Sequence, residues 1–78
     1  MKTVTLTEEQ CAYVVNALDM AHREARGLML GHQREETVAR HLDCDEAAAE
    51  SARELAQLAR ETMLQYAAAR DAVKAALN

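Results

Sequence analysis

Beyond residue 8, apolar side chains recur at intervals of three and four. Cys11, Val14, Val15, Leu18, Ala21, His22, Ala25 and Met29 fall on one stripe, which predicts an amphipathic helix of about six turns. Thr7-Glu8-Glu9-Gln10 marks its start. The Thr7 hydroxyl can accept from the Gln10 amide while the Gln10 side chain returns to the Thr7 amide, and Leu6 and Cys11 stand where a hydrophobic staple would. Gly27 and Gly31 bracket Leu28-Met29-Leu30. Either glycine can supply the positive φ that closes a helix, so the pattern ends the first helix between them.

From His32 to Leu42 the apolar signal thins to Val38 and Leu42, four apart among charged residues, enough for a short connecting helix. Asp43-Cys44-Asp45-Glu46 then repeats the capping logic, with Asp43 at the cap and acid gathered at the positive end of the helix dipole. No Gly or Pro interrupts Cys44 to Leu77, which predicts a last helix of roughly 33 residues, or ~50 Å. Its stripe runs Ala48, Ala52, Leu55, Ala59, Thr62, Met63, Tyr66, Val73 and Leu77. Leu58, Ala69 and Ala76 flank it on one side, Ala56 and Ala67 on the other. Ahead of the first helix, Lys2 to Leu6 alternates in the manner of a short strand or an extended lead-in. The expected fold is therefore all-α and a single domain over residues 1–78. It is a small bundle of a first helix, a short connecting helix and a long C-terminal helix, with a short extended N-terminal segment.

Two features imply more helix surface than one small core uses. The apolar arc of the last helix covers about half its circumference, wider than the ~100° that one partner helix needs, and the first helix is too short to accompany it throughout. Tyr13, Ala17 and Met20 also form a second patch behind the first stripe, and Leu64 points away from the last one. These four residues are the expected interface of a homodimer.

Composition sharpens that expectation. Seventeen residues are alanine, Phe, Trp and Ile are absent, and two tyrosines supply all the aromatic surface. Large apolar side chains are scarce, so close helix packing and a second subunit are expected to supply what the core lacks. Nine basic against thirteen acidic residues give a net charge of −4, which disfavours direct binding to nucleic acid or an anionic membrane. The near-apolar stretch around Gly27 to Gly31 is too short to span a bilayer. Cys11 and Cys44, 33 positions apart with no CxxC unit and no secretory signal before them, point to reduced thiols in a cytoplasmic protein, Cys11 as a small buried hydrophobe.

Candidate chemistry is sparse. Asp19 and His22 share a face at the spacing used in helical-bundle metal sites, but Glu50, Glu54 and Glu61 of the last helix lie toward its polar side, so His22 is expected only to hydrogen-bond Asp19. His32, His41 and Cys44, with Asp43 and Asp45 beside them, supply one half of a zinc pattern without the second module. The one serine, Ser51, lies inside a helix with no glycine elbow, so no nucleophile is expected. Arg70 sits near the last apolar stripe, its head expected to snorkel to solvent or to reach Asp71 or a carboxylate across an interface. No enzyme activity, cofactor or metal is expected.

Thr3-Val4-Thr5-Leu6-Thr7-Glu8-Glu9, followed by a helix, a glycine turn and Arg34-Glu35-Glu36-Thr37-Val38-Ala39-Arg40, resembles a ribbon-helix-helix regulator or antitoxin over about the first half of the chain. The resemblance implies a dimer whose paired N-terminal strands enter the DNA major groove. Val4 and Leu6 would face the core, Lys2, Thr3, Thr5 and Thr7 would face bases and phosphates, and the last helix would serve a protein partner. The residues themselves favour a different reading, a small acidic helical module that acts as an adaptor or inhibitor by occupying a surface on a larger protein. Glu8, Glu9, Glu35, Glu36, Asp43, Asp45, Glu46 and Glu50 gather acid toward the helix starts. Of these, Glu35, Glu36, Asp43, Asp45 and Glu46 form the expected surface for a basic groove on that partner, including one that normally takes nucleic acid.

Overall fold

The computed structural model describes residues 5–77, which form two antiparallel helices, α1 from Glu8–His41 and α2 from Glu46–Leu77. The all-helical class stands, but the three-helix division does not. The expected first and connecting helices are one continuous helix of 34 residues. Neither Gly27 nor Gly31 adopts positive φ, and a Cβ on either would meet nothing within 4 Å. A glycine inside a helix costs only about 1 kcal/mol relative to alanine, which the pairing of α1 with α2 along its length offsets. The glycine turn on which the ribbon-helix-helix resemblance depends is therefore helical. The expected strand falls mostly on residues 1–4, outside the described residues; Thr5 and Leu6 carry no regular structure.

The start of α1 is as the sequence reads. Thr7 is the N-cap: its hydroxyl accepts from the Gln10 N–H at 3.1 Å, and the Gln10 side-chain carbonyl accepts from the Thr7 N–H at 3.0 Å. At the other end α1 runs to His41 and the chain turns in four residues. The Leu42 and Asp43 amides both donate to the Val38 carbonyl, and the Asp45 amide reaches back to that of Ala39 at 2.8 Å. Cys44 takes φ +50° to complete the reversal, a left-handed conformation that costs an ordinary L-residue about 1–2 kcal/mol. The cap of α2 is Asp45 rather than Asp43, since the Asp45 carboxylate accepts from the Ala48 amide at 3.0 Å, and α2 begins two residues later than expected.

The seam between the helices follows a strict alternation of three and four. On α1 it comprises Cys11, Val15, Leu18, His22, Ala25, Met29, His32, Glu36 and Ala39; on α2, Ala49, Ala52, Ala56, Ala59, Met63, Tyr66, Arg70, Val73 and Leu77. All are buried or half-buried except Leu77. A repeat of 3.5 sustained over more than four heptads is that of an antiparallel coiled coil. The buried core consists of Cys11, Ala25, Ala39, Ala49, Ala52 and Ala56, and among the described residues no large side chain is fully buried. Alanine lets the two backbones approach closely, which yields a slab of 53 × 24 × 14 Å. The expected stripe of α2 is turned by one position at Ala48, Leu55 and Thr62, all exposed; Ala49, fully buried, takes the inward place.

Two substitutions check this arrangement. Gly27→Ala, on the outer side of α1, should raise stability by up to about 1 kcal/mol in a denaturant melt, where a helix terminus at that position would make it destabilising. Ala49→Leu should cost about 2 kcal/mol, because the added carbons meet the opposing helix.

Candidate interaction surfaces

A coiled-coil hairpin has two broad faces and two outer edges, and the heptad assigns each outward residue to one of these. On the first lie Asp19, Arg23, Arg26, Leu30 and Arg40 of α1 with Glu46, Glu50, Arg53, Arg60, Leu64, Asp71 and Lys74 of α2. This face carries the ion pairs that cross the hairpin. The Arg70 guanidinium, its stem along the seam, donates to the Asp19 carboxylate at 2.8 Å and also to Asp71 at 3.2 Å. Near the turn, Arg40 pairs with Glu36 at 2.6 Å and stands 3.7 Å from Glu46. On the second face lie Val14, Ala17, Ala21, Glu24, Leu28, Gly31, Glu35, Val38 and Leu42 with Ala48, Ser51, Leu55, Leu58, Thr62, Gln65, Ala69, Ala72 and Ala76. Its only charged residues are Glu24 and Glu35.

The expected dimer residues are all exposed, Tyr13 at 68%, Met20 at 64% and Leu64 at 53%, and Ala17 likewise. They do not form one patch. Tyr13 and Met20 lie along the outer edge of α1, away from α2, with Ala17 beside them, whereas Leu64 sits on the charged face of α2. The sequence pattern gives Leu28 no role and places Leu42 on the thin apolar edge of the connecting helix, Leu55 in the core and Leu58 on its flank; all four are exposed, at 60%, 77%, 46% and 59%. The missed signal was the position flanking the seam, apolar in both helices on one side and ionic on the other.

Of the expected acidic surface, Glu35, Glu36, Asp43, Asp45 and Glu46 all lie toward the turn end, but Glu35 and Glu46 fall on opposite faces and several carboxylates have local partners. Glu36 and Glu46 face Arg40, Glu35 lies 3.2 Å from His32 Nδ1, and Asp45 caps α2. Glu50 belongs to an Arg53 pair at 2.7 Å, which holds its carboxyl below the usual glutamate value.

The Asp19 carboxylate accepts from Arg70 and has Arg23 at 3.9 Å, so it is committed to cations rather than to the expected bond with His22. Among the described residues, no group of three His, Cys, Asp or Glu side chains could hold a metal ion. Cys11 is buried, Cys44 is exposed at the turn, and no described helix is long and apolar enough to cross a membrane. Neither a family model, nor a characterised protein, nor a solved structure matches this chain.

The hydrogen bond from Arg70 lowers the Asp19 pKa from its ordinary 3.8; desolvation opposes it, and the positive charges of Arg70, Arg23 and Lys74 add to the lowering. The folded protein thus binds the Asp19 proton less readily than the unfolded chain. The stabilisation is fully present well above pH 3.8 and is lost as pH falls through the lowered value. Asp19→Asn should melt earlier than the wild type at neutral pH, and the difference should vanish once the wild-type carboxyl is protonated. A difference that persisted unchanged in acid would exclude the ion pair as its cause.

Proposed function

We propose that the chain is a non-enzymatic, acidic helical interaction module, an adaptor or inhibitor that works as a homodimer and occupies a surface on a larger protein. One observation carries this reading: most of the large apolar side chains among the described residues stand exposed, chiefly on helix faces, as surface that a partner can cover. The acidic turn end supports the choice of partner. Carboxylates of Glu35, Asp43 and Glu46 would meet a basic groove, and such contacts raise the association rate and select the partner more than they add affinity.

Affinity capture from the native host, identified by mass spectrometry, tests the reading. Glu35→Gln, Asp43→Asn and Glu46→Gln combined leave the Asp45 cap and the Arg40–Glu36 pair in place. The wild type should recover a basic protein that is released at high salt, and the triple variant should recover at least tenfold less. Equal recovery by both would remove the acidic surface from the reading.

A further inference from the structure

The face bearing Leu28, Val38, Leu42, Leu55 and Leu58 is the structural feature that the single chain does not use. We propose that this face, and not the Tyr13–Met20 edge, is where a second copy of the chain docks, stacking two hairpins face to face into a four-helix bundle.

The areas argue for a copy. A folded monomer of 8.6 kDa is expected to expose about 4,700 Å², whereas this chain exposes 6063 Å². The surplus of about 1,400 Å², a figure for the whole chain, exceeds the roughly 800 Å² per partner of a stable interface. The energetics point the same way. A hairpin whose buried core is five alanines and one cysteine needs a second layer whenever it is folded, and the one occupant always present is the chain itself.

Charge excludes the other obvious occupant. A lipid surface is met by an apolar helix face rimmed with several Lys and Arg, whereas the charges on this face are Glu24 and Glu35, with Arg34 bordering it beside Gly31 and Val38.

The inference adds a face to the homodimer of the proposed function and is tested without its larger partner. Light scattering of the full chain at tens of micromolar should give twice 8.6 kDa. Leu28→Glu and Leu58→Glu, each of which duplicates a charge across the dyad, should weaken dimerisation at least tenfold with helical circular dichroism retained on dilution. Tyr13→Glu and Met20→Glu should leave it within twofold of wild type. If either leucine variant loses helix, Thr62→Glu decides: Thr62 is exposed on the same face and glutamate is a good helix former, so this variant must still dissociate the dimer. A wild-type monomer mass would overturn the proposal, as would dissociation by the Tyr13 variant with the Leu28 variant intact. A monomer mass would also remove the homodimer from the proposed function, whereas capture through Asp43 and Glu46 would stand or fall separately; Glu35, on the docking face, is shared by both readings.

Discussion

Alanine pairing is the constraint from which the rest of this molecule follows. A buried methyl group contributes about 0.8 kcal/mol, against about 1.5–3 kcal/mol for a leucine or methionine side chain. A seam rich in alanine therefore holds two helices only by running along nearly all of both. That is why α1 continues past two glycines to His41, and why α1 and α2 differ by only two residues in length. The same economy limits what the hairpin can do alone. With little thickness between the helices, residues one position off the seam stay in contact with solvent, and leucines there add area without gaining burial.

The two sides of the seam use those flanking positions differently. On one, Asp19–Arg70 and Arg40–Glu46 bridge the helices. Neither pair is deeply buried, so each adds little stability, but an alanine seam offers few shape cues against a slip of one turn, and charges placed opposite one another supply them. On the other side the flanks are mainly leucine, valine and alanine, with Glu35 and Thr62 among them; the apolar ones specify nothing within the chain and are suited to a further layer. The slab is thus polarised in chemistry across its thin dimension.

How far the sequence revealed this depended on side-chain size. The capping box at Thr7 depends on local chemistry and is realised as written, and the inward run from Cys11 to Met29 includes side chains large enough to mark a face. Beyond Met29 the seam passes through His32 and Glu36, polar residues, so the apolar period fades although the helix does not. Gly27 and Gly31 then resemble a terminus. On α2 the difficulty is reversed: alanine at Ala47, Ala48 and Ala49 leaves three candidate inward positions, and only the partner helix selects Ala49. The surface residues suffered accordingly, because an error of one position in the facing of α2 exchanges Leu55 between core and surface.

The turn of four residues between His41 and Glu46, together with the Asp19–Arg70 bridge far from it along the chain, fixes the helices at two separated points. Any change in chain length between those points must then be matched: residues removed from α1 alone would bring the bridge out of line and rotate the seam. Seven deleted from each helix would leave every remaining pair opposite its present neighbour. Natural variants of this hairpin should accordingly differ by paired heptads, shortening or lengthening it as a ruler is cut, while single insertions are confined to the turn and the free ends.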